Sequence, residues 1–407
     1  MSGSRPNILF LMTDQMQGRV LEPGHPCLTP NLDRLAARGV RFTRAYTPNA
    51  VCSPARASLM TGLLPHNHGV LDVIHNVDDD QSVLRVDRPH WAQRLSEAGY
   101  RTGYFGKWHV ERSNRLERFG WQAYELKQKG KKVKAKAKPD EAAAWSEFPL
   151  AKTVDDPPGY ASRLHYAVTE DPPESRGVGI TTDLALGFLN EVLQGDEPWC
   201  CMVSVTEPHD PFVAGREAFE LYRVDELPLA PNVHDDLAGR PNIYRKVQAP
   251  WRRLTDRERK EAAACYYASI TEIDAQYGRL IDAVERAGQS DRTLIVFTSD
   301  HGELLGAHGL YCKNFSAYEE VYNIPLVIAG PGVAAGVVTS ARAGLHDLCP
   351  TLLELVGLEP IGAPDSKSFA GLLADPGRFE GEYQTGFAEF HGGRYRLTQR
   401  VYWDGPW

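Results

Sequence analysis

Asn7-Ile8-Leu9-Phe10-Leu11-Met12 is an apolar run without alternation, and it passes directly into Thr13-Asp14-Gln15. A strand with one solvated face would alternate apolar and polar residues, so a continuous run predicts a strand covered on both faces. The same pattern recurs at Trp199 to Val205, Thr293 to Thr298 and Ile324 to Ala329. Between these runs, Asn31 to Arg38, His90 to Ala98, Thr181 to Leu193 and Asp256 to Arg286 carry helical spacing with charged outer faces. Such alternation predicts an α/β fold, a large, mostly parallel sheet sandwiched by helices. Ligands gather beyond the carboxyl ends of the strands in sheets of this kind. Three polar clusters directly follow predicted strands: Thr13-Asp14-Gln15, Thr206-Glu207-Pro208-His209-Asp210 and Ser299-Asp300-His301-Gly302-Glu303. They are expected to converge on one edge.

The 407 residues, 42% hydrophobic and 24% charged, have globular composition and exclude a disordered or fibrous chain. The 53 acidic and 45 basic residues are interspersed, for a net charge of −8, which argues against a nucleic-acid partner. No apolar run approaches the roughly 20 residues that span a bilayer, so no membrane partner is expected. The run Ile8 to Met12 is too short for a signal-peptide core and lacks a small-residue cleavage site. Seven cysteines, irregularly spaced and with Cys200-Cys201 inside an apolar run, form no disulfide framework. A cytoplasmic protein is the expectation, with Cys27, Cys200, Cys201, Cys265, Cys312 and Cys349 acting as small apolar residues. The basic segment Lys127 to Glu141 reads as a solvated loop. Residues 210–259, rich in Pro, Asp and Arg, read as a surface insertion that can cover a site.

The most informative stretch is Cys52-Ser53-Pro54-Ala55-Arg56, followed by Ala57-Ser58-Leu59-Met60-Thr61-Gly62. Pro54 suits a first helical turn, which sets Cys52 at a helix N-terminus, where backbone N–H groups favour an anion. Taken alone, a buried cysteine before an ordinary helix would also fit. In this motif the chain resembles the type I sulfatases of the alkaline phosphatase superfamily, where Cys-x-Pro-x-Arg is recognised by a maturation enzyme that oxidises the cysteine to Cα-formylglycine. Asn7 to Gln15 resembles the family's first strand and metal loop, and Thr29 to Ala36 the helix that follows. Gly106-Lys107-Trp108-His109 matches one signature block, and Ser299 to Glu303 with His308-Gly309 and Lys313 matches another. The likeness weakens between Leu126 and Gly195.

The resemblance implies an alkaline phosphatase/sulfatase-like catalytic domain over residues 1–378. Residues 379–407 would begin a smaller C-terminal α+β subdomain, left incomplete. It implies one divalent metal held by Asp14, Gln15, Asp300 and His301. Hard oxygen ligands put calcium ahead of manganese. The commonest family pattern has a second aspartate at position 15 and often an asparagine at 301, and the softer imidazole here also suits manganese or zinc. The catalytic set would be Cys52, Arg56, Lys107, His109, His209 and Lys313. Formylglycine hydrates to a geminal diol, of which one hydroxyl attacks sulfur and the other loses its proton to re-form the aldehyde and eject sulfate. Arg56 would support the ionised hydroxyl, Lys107 and Lys313 would hold sulfate oxygens, and His109 would take the second proton. His209, with Lys313, would stand beside the leaving oxygen.

The implied activity is hydrolysis of a sulfate monoester, with a small-molecule ester as substrate and the maturation enzyme as partner. No oligomeric state follows. A phosphonate monoester or phosphodiester hydrolase of the same superfamily is the alternative enzyme, since Asp-Gln and Asp-His pairs resemble those relatives too. A catalytically silent anion-binding protein that keeps the Cys52 thiol is the alternative from another class. His66, His68 and His75 fit no metal template and read as a turn, with His75 or Asn76 within reach of a substrate. Gly330 to Ala335 imitates a dinucleotide fingerprint, but Val337-Val338-Thr339 predicts extended chain where a helix should open, so a turn is expected.

Overall fold

The run that opens the chain forms β1 (Asn7–Thr13), every residue of which is buried. A computed structural model of the protein describes residues 5–84, 90–126, 133, 135–137, 145–155, 162–313, 317–392 and 397–405. After β1 come β2 (Gly39–Tyr46), β3 (Arg101–Gly106), β4 (Ala123–Glu125), β5 (Lys136–Ala137), β6 (Leu150–Asp155) and β7 (Ser162–Thr169). Then follow β8 (Trp199–Ser204), β9 (Phe212–Gly215), β10 (Thr293–Ser299), β11 (Asn323–Ala329), β12 (Val337–Gly344), β13 (Thr385–Phe390) and β14 (Gln399–Asp404).

The main sheet has eight strands in the order β12-β2-β11-β10-β1-β8-β3-β4. β1 lies at its middle, parallel to β10 with Leu9 opposite Ile295, and parallel to β8 with Leu9 opposite Cys201. β11 departs from the parallel scheme: it runs antiparallel to both β10 and β2. Side chains of β1 divide between two cores. Leu9 and Leu11 pack with Ile270, Ile273 and Tyr277 of the long helix Asp256–Arg286. Ile8, Phe10 and Met12 pack on the opposite face with Ala55, Leu59, Trp91 and Leu352. With helices on both faces, no position of the strand is left to water, and this is why its sequence cannot alternate.

The helical periodicity corresponds to α1 (Pro30–Ala36), to helices Trp91–Glu97 and Gly177–Val192, and to Asp256–Arg286. The last opens on a capping box in which Thr255 accepts from the backbone of Glu258 while the Glu258 carboxylate accepts from Thr255 N at 2.8 Å. Tyr277 and Tyr266 on this helix donate to the carbonyls of Met12 at 2.6 Å and Gln15 at 2.7 Å, fastening the end of β1 from behind.

A smaller sheet sets β6 and β5 antiparallel and β9 parallel to β7. Of the basic segment Lys127 to Glu141, β5 supplies an edge strand, and all but residues 133 and 135–137 lie outside the described residues. The segment 210–259 is more built than a surface coil: β9 opens it, and Phe212, Tyr222, Trp251 and Leu254 are buried in the core. Average composition hid these large apolar residues among the prolines and charges. Gly330 to Val333 form a turn before β12, and β13 and β14 make a small antiparallel pair near the C-terminus. All seven cysteines are free. No helix among the described residues is long and apolar enough to cross a membrane.

Candidate active site

Because β1, β8 and β10 are adjacent and parallel, their carboxyl ends deliver three polar clusters to one place. Backbone bonds stitch the exits together: Asp300 N donates to Thr13 O at 3.3 Å, Val205 N to Met12 O at 3.0 Å, and Asp14 N to Glu207 O at 3.3 Å. Above this edge begins α2 (Cys52–Thr61), entered from Val51 in extended conformation, so Cys52 is the first helical residue. Ligand atoms of Asp14, Cys52, Asp300 and His301 lie within 4.8 Å of one another, and all of these residues are buried.

Arg56 follows Cys52 by one helical turn and therefore shares its face. Its buried guanidinium donates from Nε to Asp300 Oδ2 at 2.7 Å, from Nη2 to Asp14 Oδ2 at 3.3 Å, and from Nη1 to Lys107 O and Ser204 Oγ, both at 2.8 Å. Its fork joins two carboxylates to the ends of β3 and β8, on the face it shares with Cys52. Burial opposes its charge, but Asp300 and Asp14 outweigh burial and raise its pKa. Lys107 pairs with Asp14 Oδ2. Burial would raise the Asp14 pKa and Cys52 adds to that, yet Lys107, His209 and Lys313 hold it well below the usual carboxylate range. The Cys52 thiol obeys the same balance. Burial pushes it up, and Lys107, Lys313 and His301 bring it far below the ordinary value.

His301 Nδ1 donates to Gly302 O at 2.9 Å, which leaves the Nε2 lone pair facing Cys52 Sγ at 3.2 Å and Asp14 Oδ1 at 3.5 Å. Each carboxylate thus turns one oxygen to the cations, while Oδ1 of Asp14 and Oδ1 of Asp300 face the imidazole, at 3.5 and 3.7 Å. Two carboxylate oxygens and an imidazole nitrogen converging on one point fit a divalent metal of intermediate hardness. Gln15 joins them through its backbone, donating to Asp300 Oδ1 at 3.2 Å. Its side chain is otherwise engaged: the amide NH2 donates to Asp210 at 3.0 Å and Glu303 at 2.6 Å, and the amide oxygen accepts from Lys313 at 3.1 Å.

His209 sits at the opposite rim, its Nδ1 donating to Asp210 O at 2.7 Å and its Nε2 accepting from Lys313 at 2.6 Å. His109 is close enough to act on the Cys52 thiol; its Nδ1 is buried without a hydrogen-bond partner among the described residues. Its ring stacks on His75 with centroids 5.7 Å apart. His66 and His68 turn elsewhere, to Glu389 at 2.9 Å and to Ser58 at 3.0 Å, so the three histidines do not form one group.

All ten residues singled out from sequence therefore belong to one region. Ser204, Asp210, Glu303 and Tyr266 were not singled out, although they hold Arg56 and Gln15 in place. Asp210 and Glu303 stand within the strand-end clusters and Ser204 two residues before one, which was the available signal. Nothing local marked Tyr266. Burial raises the Glu303 carboxyl to about 7.

A sequence profile described as Sulfatase matches residues 6–358. The choline-sulfatase of Rhizobium meliloti is 32% identical over 388 residues, covering 88% of this chain and 69% of that protein. A structure solved with its substrate D-glucosamine-2-N,6-O-disulfate superimposes with a TM-score of 0.74 at 23% identity, over 98% of this chain and 86% of the other. The phosphonate monoester hydrolase of Agrobacterium radiobacter superimposes with a TM-score of 0.73 at 27% identity, over 95% and 80%. With a profile match across most of its length and a choline-sulfatase 32% identical over 88% of it, this chain belongs to the sulfatase family and is a sulfuric ester hydrolase.

Proposed function

We propose that the protein hydrolyses a small-molecule sulfate monoester through formylglycine at position 52, produced from Cys52 by a maturation enzyme. The observation that carries this reading is Cys52 at the start of α2, 3.2 Å from His301 Nε2 and 3.7 Å from Asp14 Oδ1, among cationic groups. Asp14, Asp300 and His301 would hold a divalent metal, with Gln15 at its border, and the oxygen donors favour calcium over manganese. When bound, the metal would lower the pKa of a hydroxyl at position 52 and draw charge from the sulfate oxygens.

Lys107 and Lys313 hold the sulfate oxygens. One hydroxyl of the hydrated aldehyde, already ionised with its proton released to water, forms the new O–S bond as the bond from sulfur to the alcohol oxygen breaks, and the His209–Lys313 pair supplies the proton that the alcohol takes. His109 then accepts the proton of the remaining hydroxyl, the C–O bond to sulfate breaks, and the aldehyde returns. The seven free cysteines support a reducing, cytoplasmic setting.

Peptide mass spectrometry across position 52, on protein from the native host, should find the aldehyde and its hydrate, and Cys52→Ala should abolish turnover of choline sulfate and aryl sulfates. Undiminished turnover in that variant overturns the proposal. Phosphonate monoester hydrolysis is the second reading, supported by Gln15 and His301 and by the similarity to the Agrobacterium radiobacter enzyme. Faster cleavage of an aryl phosphonate than of an aryl sulfate with the same leaving group would put it first.

A further inference from the structure

A cavity of about 190 Å³ lies behind the catalytic loops, between the turn carrying Arg19 and His25, the segment 228–233, the start of helix Asp256–Arg286 and the loop 305–311. Its charged lining has one sign: Arg19 and Arg259 contribute to it, and no acidic residue does among the described residues. Arg259 is the informative group. It is only 6% exposed; its Nη2 donates to Trp251 O at 3.1 Å, and the Tyr311 hydroxyl stands close to the guanidinium. Nε and Nη1 have no hydrogen-bond partner among the described residues. The Asp256 carboxylate stands 3.8 Å from Nε, too far for a hydrogen bond. Buried N–H groups without acceptors are unfavourable, and a guanidinium presents them in the planar fork that a carboxylate matches.

His25 adds a neutral donor. Burial, and then the Arg19 charge, lower its pKa to about 4, and its Nδ1 accepts from Cys27 N at 3.2 Å, which leaves the proton on Nε2. Much of the remaining wall is apolar, with Leu229, Val233 and Ala263 in it. A bare inorganic anion would leave that wall unused. None of Asp14, Cys52, Asp300 and His301 lines the cavity.

We propose that this cavity is a second binding site, for a small organic carboxylate whose charged end meets Arg259 and whose apolar body rests against Leu229 and Val233. The loop 305–311 forms one wall and joins Glu303 to Lys313, so an occupant braces the chain that carries both.

The test is calorimetric titration of the whole protein with benzoate, and separately with sulfate, at constant ionic strength. Benzoate should bind one-to-one, Arg259→Gln should weaken it by about tenfold or more, and Cys52→Ala should leave it unchanged. If Arg259→Gln does not fold, Ala263→Leu decides, because it narrows the cavity and keeps every charge; it should weaken binding by at least as much. Absence of saturable benzoate binding, loss of binding in Cys52→Ala, or unaltered binding in Ala263→Leu overturns the site. Sulfate binding as tight as that of benzoate and weakened as much by Arg259→Gln overturns the organic class.

Discussion

Gln15 places one amide where two carboxylates and an ammonium meet, giving its NH2 to Asp210 and Glu303 and its oxygen to Lys313. An aspartate there would supply a third carboxylate and no donor. Gln15→Asp should therefore destabilise the protein by about 1–3 kcal/mol, since Asp210 and Glu303 lose their shared donor while buried. The backbone is not the cause, because φ is 71° at this position and Asp tolerates the left-handed region at least as well as Gln. Urea unfolding of the two proteins measures the difference, and a variant as stable as the parent would contradict the account. Asp14 and Asp300 were legible because a carboxylate directly after a buried strand has few other reasons to be there, and Arg56 because it stands one turn from Cys52. The engagement of Gln15 was not legible. Its partners lie 195 to 298 residues away, and only the folded sheet brings them to it.

β3 ends at Gly106, whose φ of 100° turns the chain so that Lys107 N reaches Ser204 O at 2.8 Å. A Cβ at this glycine would stand 2.1 Å from Ser204 O and 2.9 Å from Thr181 Cγ2. Strand and helix would both have to yield. Gly106→Ala should cost about 1–3 kcal/mol in backbone strain alone and lower kcat, because Lys107 loses its place against Asp14. Chemical denaturation with steady-state kinetics on one sulfate ester checks both, and the outcome that counts against it is parental stability and rate. At this scale continuous apolar runs announced the buried strands, and helical spacing announced the long helix. The reversed direction of β11 was hidden, since Ile324 to Ala329 would be equally apolar in either orientation between the same two neighbours. The strand character of the region around Phe212 was hidden by the charged and proline-rich residues on its C-terminal side.

Taken whole, the molecule is sensitive to acid for reasons remote from catalysis. His90 and His165 are buried with no hydrogen-bond partner on either ring nitrogen among the described residues. Burial lowers both to a pKa of about 3 from the ordinary 6.5. Between those values the unfolded chain binds protons that the folded chain refuses, so stability is complete above pH 6.5 and declines as pH falls toward 3. Each histidine contributes a slope of up to about 1.4 kcal/mol per pH unit. Urea midpoints at pH 7 and pH 5 should show the loss, and His165→Phe should flatten the profile; an unchanged slope would remove His165 from the explanation. A second consequence follows from Cys52, which is 1% exposed beneath chain that arrives as late as Lys313. On the proposed route, an oxidising enzyme can reach this side chain only while the nascent polypeptide is still loose, and the opportunity closes when the sheet assembles. Thiol-form protein that has already folded should keep its mass when incubated with that enzyme. The same chain, unfolded, treated and then refolded, should emerge with the aldehyde in place.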